Sequence, residues 1–342
     1  MNKGVWRMQG DVTWGVDLRR DKRLERGELR RYLAAVGLTL LIFLLAAKST
    51  SLPVTLLRWY WTGHGVTITE SMAQLVNMAS YTASLLLPLL FLVAAQGQRA
   101  KRPLFPLTRP KQGTFFPALG ICLGVCSLSN YLSSWIAMLI QRNFPDTLLA
   151  YRADIPAQGT PMVLGIISAA VLPAVLEELL FRGAILQAAR PFGDGFAIFV
   201  SALAFALCHT TVPQLLPALL AGLLFGYFTL LSGSLWVTAA IHCCYNLLAA
   251  AVELSGTLGG AEVQLMTSAT IAAGSLLCCL AGLLFFLRRL REGTGLEPYR
   301  GSLSLAERLA GLACNIPLLV AAATLCWTTW SPVLEEVLKG WT

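Results

Sequence analysis

The sequence predicts an all-α, polytopic transmembrane helical bundle. Of its 342 residues, 56% are hydrophobic and 13% are charged, and the mean hydropathy is +0.65. A soluble domain of this length could not bury so much apolar surface. Apolar runs of about 20 residues, enough for a helix to cross about 30 Å of hydrocarbon, follow one another along the chain. The bilayer is therefore the expected solvent for most of this protein.

These runs predict nine helices, and a bundle of about eight to nine transmembrane helices. The predicted bounds are 32–50, 71–95, 114–141, 161–189, 196–211, 214–231, 235–254, 264–287 and 309–328. They divide the chain into a basic N-terminal tail (1–31), one membrane domain (32–330) and a short C-terminal tail (331–342). We find no fixed-period repeat and no long Gly/Ser/Pro linker that would divide the membrane domain further.

Breaks between the runs justify the helices in order. The first helix begins where the charged N-terminal sequence ends, and a proline-rich loop around Pro106 separates the second from the third. A polar loop, 143–161, precedes the fourth helix. Gly193 and Gly195 indicate the turn before the fifth, and Ser232 and Gly233 indicate the turn between the sixth and seventh. The third of three basic clusters separates the eighth helix from the ninth.

Three basic clusters predict the orientation, because short loops rich in Lys and Arg stay on the cytoplasmic side. With nine helices, all three lie on one face of the membrane, so we expect a cytoplasmic N-terminus and an outside C-terminus. These juxtamembrane positions also account for the formal net charge of +8, so no nucleic-acid partner is predicted. The clusters comprise Arg19, Arg20, Lys22, Arg23, Arg26, Arg30 and Arg31; Arg99, Lys101, Arg102, Arg109 and Lys111; and Arg288, Arg289, Arg291 and Arg300.

Ionisable residues in the fourth run mark a candidate site, because charges in hydrocarbon cost a few kcal/mol. Glu178 and Arg182 are four residues apart and share a helical face, so a structural ion pair is one interpretation of this pair. Glu177 points roughly 100° away around the helix and has no arginine at helical spacing. It therefore needs a partner from another segment.

Two histidines in later apolar helices are candidate partners for Glu177. Each histidine alone could be an ordinary core residue. Glu177 and His209 lie about sixteen residues to either side of the Gly193 turn, so adjacent antiparallel helices would hold them at similar depth. His242 and Asn246 are four apart and share one face of the seventh helix. His242 is nearer its own turn, so the helices must be staggered or tilted for the groups to meet.

This set of side chains fits hydrolysis of a peptide bond without a covalent intermediate. A buried carboxylate beside a neutral imidazole can hold and deprotonate water, which suits Glu177 and His209. His242 and Asn246 could donate hydrogen bonds to the developing oxyanion. No cofactor is required, but zinc bound by Glu177, His209 and His242 is an open alternative. The nine cysteines show no zinc-like spacing and are expected to be small buried hydrophobes.

Three motifs in order resemble those of the CPBP intramembrane protease family. They are Glu177-Glu178-x-x-x-Arg182, Phe205-x-x-x-His209 and His242-x-x-x-Asn246, within a motif core of 161–255. This family includes type II CAAX prenyl endopeptidases and bacterial Abi-type proteins. The resemblance implies an eight-helix protease core, catalytic roles for Glu177, His209, His242 and Asn246, and supporting roles for Glu178 and Arg182. It further implies a multi-pass protein of the bacterial plasma membrane with a membrane-bound peptide or protein substrate, CAAX-type or of a bacteriocin or signal-peptide type.

Two other classes of function compete with the protease. In a transporter or channel, Glu177 and the histidines would form a proton or ion pathway, but the polar cluster has no counterpart in the first half of the chain. In a noncatalytic scaffold or immunity protein, the fold would serve binding alone, but the full set of presumed catalytic residues is present. Composition and motifs predict no oligomeric state.

Overall fold

The computed structural model describes residues 11–49, 51–96, 103–143, 155–293, 296 and 298–339, and every regular element among them is helical. Seven of these described helices are long and apolar enough to cross a membrane by length and composition. The predicted all-α polytopic bundle is thereby confirmed. Of the residues discussed above, Arg99, Lys101 and Arg102, and most of the predicted polar loop (144–154), lie outside the described residues.

The first three helices form one side of the bundle. They are α1 (Asp11–Ser49), α2 (Ser51–Gly63) and α3 (Glu70–Gln96). α1 begins inside the predicted tail and packs on α3, and both helices contribute buried leucines, such as Leu40 and Leu85, to the hydrophobic core. α2 was not predicted, because at 13 residues it is too short to span a membrane.

The central helices are α4 (Phe115–Asn143), α5 (Gly159–Phe192), α6 (Asp194–Leu207) and α7 (Val212–Ser232). Gly193, with φ 114°, makes the predicted turn between α5 and α6, and Gly233, with φ 71°, ends α7. α6 has 14 residues and ends four residues earlier than predicted. Thr210, with φ 35°, lies in the short connection to α7 and explains that early end.

A hairpin follows, formed by the helical segment α8 (Leu235–Arg291). Gly260 interrupts it, because its φ of 79° and ψ of −176° are not helical backbone angles. The second half returns along the first, because Phe286 contacts Phe228 near the end of α7, next to the point where α8 starts. The two halves correspond to the predicted helices 235–254 and 264–287.

Both halves of α8 pack on α4, which is the most extensive helix contact in the structure. Glycines allow the approach: a Cβ on Gly120 would lie 2.2 Å from the carbonyl oxygen of Cys278, and a Cβ on Gly282 would lie 2.8 Å from that of Pro117. Small residues at helix crossings are the usual way for membrane helices to pack closely.

The predicted ninth helix is divided into α9 (Leu305–Ala313) and α10 (Ile316–Lys339). Asn315 causes the break: its side-chain oxygen accepts from the backbone N–H of Leu318 and so starts a new helix. α10 extends into the predicted C-terminal tail.

The described residues of the three basic clusters lie near one end of the bundle. Arg26 in α1 forms an ion pair with Glu307 in α9. Arg289, at the end of α8, donates to the carbonyl oxygen of Gln112, in the loop before α4. Arg26 thus ties the first cluster to α9, which follows the third cluster in the chain, and Arg289 ties the third cluster to the loop that carries Lys111. The assignment of this end to the cytoplasm stays a prediction.

Candidate active site

The site is built on a π-helical stretch of α5. Residues Leu172–Glu177 are α-helical and Glu178–Ile185 are π-helical, with the wider i→i+5 hydrogen bonding that is frequent at functional sites. Side chains from other helices bond to carbonyl groups of this stretch. Ser201 donates to the carbonyl of Phe181 at 2.8 Å, and Tyr32 donates to that of Ile185 at 2.9 Å. The unusual turn is therefore held by tertiary hydrogen bonds.

Glu178 and Arg182 form the ion pair that their spacing predicted. Arg182 Nη1 lies 2.9 Å from Glu178 Oε1, and both side chains are fully buried. The guanidinium also lies over two aromatic rings, 4.2 Å from the centroid of Phe205 and 5.1 Å from that of Phe225. Arginine is thus positioned by charge on one side and by cation–π contacts on the other.

Glu177 has the partners from other segments that the sequence required. Tyr81 of α3 donates a hydrogen bond to Glu177 Oε1 at 2.6 Å. His242 of α8 lies on the other side of the carboxylate, with Nε2 at 3.7 Å from Glu177 Oε2. The side chain of Glu177 is 14% exposed, so it is accessible where Glu178 is not.

His242 lies between the two glutamates. Its Nδ1 is 3.2 Å from Glu178 Oε1, and the opposite nitrogen faces Glu177. If Glu178 is ionised it can only accept, so Nδ1 carries a proton. The ring is packed against Phe205 and Phe225, with centroids 6.0 and 5.3 Å away. Its orientation is therefore fixed by Glu178 and by the two phenyl rings.

The sequence predicted His209 inside a helix over 196–211. In the structure α6 ends at Leu207, and His209 lies just beyond that end. Its Nδ1 is 2.9 Å from the carbonyl oxygen of Phe205 and must donate to it, since a carbonyl only accepts. The Nε2 atom of the neutral ring is then an acceptor. The Phe205 ring contacts both histidines, with the His209 centroid 4.7 Å away, so both imidazoles border the same side chain.

The structure thus joins four of the predicted residues by direct polar contacts: Glu177, Glu178, Arg182 and His242. His209 joins this group through Phe205, and Asn246 lies one turn beyond His242 on α8 and is half-buried. The histidine in direct contact with Glu177 is His242. The expected water-activating pair of Glu177 and His209 stays a prediction.

Tyr81 is the residue that the sequence analysis missed. It lies 96 residues before Glu177, and tyrosine is an ordinary residue in a membrane helix. The neighbouring Ser80 and Thr82, which make a polar run in an apolar helix, were the only signal available.

Within the described part of the chain, no group of three or more His, Cys, Asp or Glu side chains is arranged to hold a metal ion. The zinc alternative, with Glu177 and both histidines as ligands, stays a prediction. The arrangement offers a partly accessible carboxylate (Glu177), an imidazole acceptor (His209) and a second imidazole (His242) in a fixed orientation.

Comparison with known proteins agrees with the motifs. Residues 159–248 match the family described as Rce1-like, type II CAAX prenyl endopeptidase Rce1-like. Glu177, His209, His242 and Asn246 all lie inside this segment, whereas Tyr81 lies outside it. No curated protein and no solved structure matches the chain. The family match confirms, over residues 159–248, the resemblance to the CPBP intramembrane proteases that the three motifs indicated.

Proposed function

We propose that this protein is an intramembrane endopeptidase that hydrolyses a peptide bond of a membrane-associated substrate, with Glu177 as the general base. The observation that carries the proposal is the position of this carboxylate. It is partly accessible on a membrane helix, lies between Tyr81 and His242, and falls within the segment that matches a family of endopeptidases. A prenylated CAAX-type protein is the substrate class that this family suggests.

In the first step, Glu177 accepts a proton from water while the water oxygen attacks the peptide carbonyl carbon. The Nε2 acceptor of His209 holds and orients that water through its second proton. A bond forms between the water oxygen and the carbon, and the carbonyl electron pair moves onto oxygen. The product is a tetrahedral oxyanion.

His242 and Asn246 stabilise that oxyanion in our proposal. Because Nδ1 of His242 donates to Glu178, donation from Nε2 to an oxyanion requires the imidazolium form of the ring. Glu178 supplies the balancing negative charge beside His242, since Glu177 holds the proton from water at this stage. The oxyanion then collapses, the C–N bond breaks, and the leaving amine takes the proton that Glu177 accepted.

The buried pair of Glu178 and Arg182 has a supporting role in this mechanism. Both side chains are fully buried and cannot reach a substrate without rearrangement. Their contribution is to hold His242 in one orientation, since Glu178 Oε1 contacts Arg182 and His242 at the same time. Because Glu177 lies on a membrane helix, the proposed partners are the lipid bilayer and a membrane-associated substrate that reaches the site within it.

The experiment compares the purified protein with Glu177→Gln and His209→Ala in cleavage of a library of membrane peptides, prenylated and unprenylated. Glu253→Gln is the control carboxylate on α8. His64→Ala is the matched histidine control, because Nδ1 of His64 also pairs with the carbonyl four residues earlier, at 2.8 Å. Folding is checked by circular dichroism.

We expect Glu177→Gln to lower kcat by about 10²–10⁴-fold, the usual contribution of a general base, with neither control affected. Cleavage that survives Glu177→Gln would refute the mechanism. Inhibition by a chelator, reversed by zinc, would replace the metal-free mechanism with the zinc alternative. Proton-coupled transport by a protein that cleaves nothing would favour a transporter instead.

A further inference from the structure

The hydrogen bond from α3 to Glu177 has no place in the three motifs. Tyr81 Oη lies 2.6 Å from Glu177 Oε1, inside the 2.5–2.7 Å range of a charge-assisted bond between a hydroxyl and a carboxylate. Tyr81 is on Glu70–Gln96, upstream of the segment 159–248 that matches the protease family. This contact therefore comes from a part of the chain that the family match does not cover.

We propose that Tyr81 is a positioning residue, which fixes the Glu177 carboxylate so that Oε2 faces the reaction space beside His242. This inference rests on the proposed function of Glu177. The two carboxylate oxygens have different surroundings: Oε1 accepts from the phenol, while Oε2 is 3.7 Å from His242 Nε2. That second separation exceeds a direct hydrogen bond, so Oε2 keeps acceptor capacity for a proton of water.

Without the phenol, the carboxylate would have more freedom to turn. The terminal torsion of a glutamate is broad and its preferences are weak, so packing or hydrogen bonds must set the plane of the two oxygens. A general base must lie within hydrogen-bond reach of the proton that it removes, and an error in position costs rate. Tyr81 fixes Oε1 from one side and thereby defines where Oε2 points.

Tyr81→Phe removes the hydroxyl group and keeps the ring, so the helix packing is conserved. Tyr131→Phe is the matched control, because Tyr131 also forms a hydroxyl bond between two membrane helices, to Ser268 at 3.2 Å, on α4 and α8. Size-exclusion chromatography and circular dichroism establish that both variants fold.

With a cleavable membrane peptide, we expect Tyr81→Phe to lower kcat by about 10- to 100-fold, the worth of one hydrogen bond to a charged group, and to leave KM within about twofold. Tyr131→Phe should change neither constant. A loss confined to KM, or an equal loss of kcat in both variants, would show that the hydroxyl serves only packing and would overturn the proposal.

A second measurement does not depend on proteolysis. Dicyclohexylcarbodiimide, an apolar reagent for carboxyl groups, is used to label the protein in detergent, and mass spectrometry follows Glu177; Glu177→Gln identifies the labelled peptide. Loss of the Tyr81 bond frees Oε1, so Tyr81→Phe should be labelled about three- to tenfold faster than the parent protein, and Tyr131→Phe at the parent rate.

The two measurements separate the two proposals. If no peptide is cleaved by the parent protein but Tyr81→Phe labels faster, the proposed function fails while the positioning of Glu177 by Tyr81 stands. If Glu177 labels equally fast in all three proteins, the positioning role is refuted whether or not the protein is a protease.

Discussion

Arg182→Met should destabilise the protein strongly, because it leaves the buried charge of Glu178 without its guanidinium partner, with only the imidazole of His242 beside it. Both side chains are fully buried and Nη1 is 2.9 Å from Oε1. Breaking such a pair by removing one partner costs about 3–5 kcal/mol. Loss of the cation–π contact with Phe205, at 4.2 Å, adds to that cost, whereas methionine conserves part of the apolar volume. We therefore expect a loss of about 3–5 kcal/mol in the free energy of unfolding.

The double variant Glu178→Gln/Arg182→Met tests whether this loss comes from the charge. Glutamine removes the charge of Glu178 and retains an oxygen that can accept from His242 Nδ1. If the unpaired carboxylate causes the loss, the double variant should be more stable than the sum of the single variants predicts, by about 0.5–3 kcal/mol. Unfolding by sodium dodecyl sulfate, followed by circular dichroism, measures all four proteins.

Arg288 and Glu292 provide the matched control. They form the same kind of pair at the same spacing, but their side chains are 80% and 55% exposed. The corresponding cycle with Arg288→Met and Glu292→Gln should show a coupling of at most about 0.5 kcal/mol, because solvent screens an exposed pair. Equal coupling in the two cycles, or additivity at Glu178 and Arg182, would refute the argument that burial makes this pair costly to break.

Gly120→Ala should destabilise the contact of α4 with α8, because its Cβ would lie 2.2 Å from a backbone oxygen. Gly274→Ala is the control, since a Cβ there would have nothing within 4 Å, and thermal unfolding of both variants measures the difference. Ser201→Ala should cost about 0.5–1.5 kcal/mol, the net worth of one hydrogen bond, because the Phe181 carbonyl loses its side-chain donor and keeps the backbone N–H of Leu186; the same detergent titration measures this. Hydrogen bonds from the Ser304 backbone and from side chains including Arg26 lower the pKa of Glu307 from 4.5 to about 2. The folded pKa of Glu307 is below its unfolded pKa, so this stabilisation is present above about pH 4.5 and is lost as pH falls towards 2. The difference in melting temperature between the parent protein and Glu307→Gln should therefore shrink over that range.

Helix positions could be predicted because they depend on local features of the sequence. Apolar run length gives the spans, and Gly193 and Gly233 give turns that require a positive φ. The π-helical conformation of Glu178–Ile185 could not be predicted. It depends on donors such as Tyr32 and Ser201, which come from helices distant in sequence and have no periodic relation to the carbonyls that they bind.

The site was predictable to the extent that its contacts lie within one helix. The pair of Glu178 and Arg182 follows from a spacing of four. The contact of Glu177 with His242 joins α5 to α8, and no spacing along the sequence gives the stagger of those two helices. Tyr81 depended on the packing of α3 against α5, which no spacing along the sequence encodes.

The two adjacent glutamates illustrate why one imidazole can serve both. Neighbouring residues on a helix point roughly 100° apart, and here the boundary from α- to π-helix falls between them. An imidazole placed between the two side chains can turn Nδ1 to Glu178 and Nε2 to Glu177, which is the arrangement of His242. Glu178 is also paired with Arg182 and fully buried, so its role is structural. Glu177 has no arginine and is partly accessible, and it is therefore the member of the pair that chemistry can use.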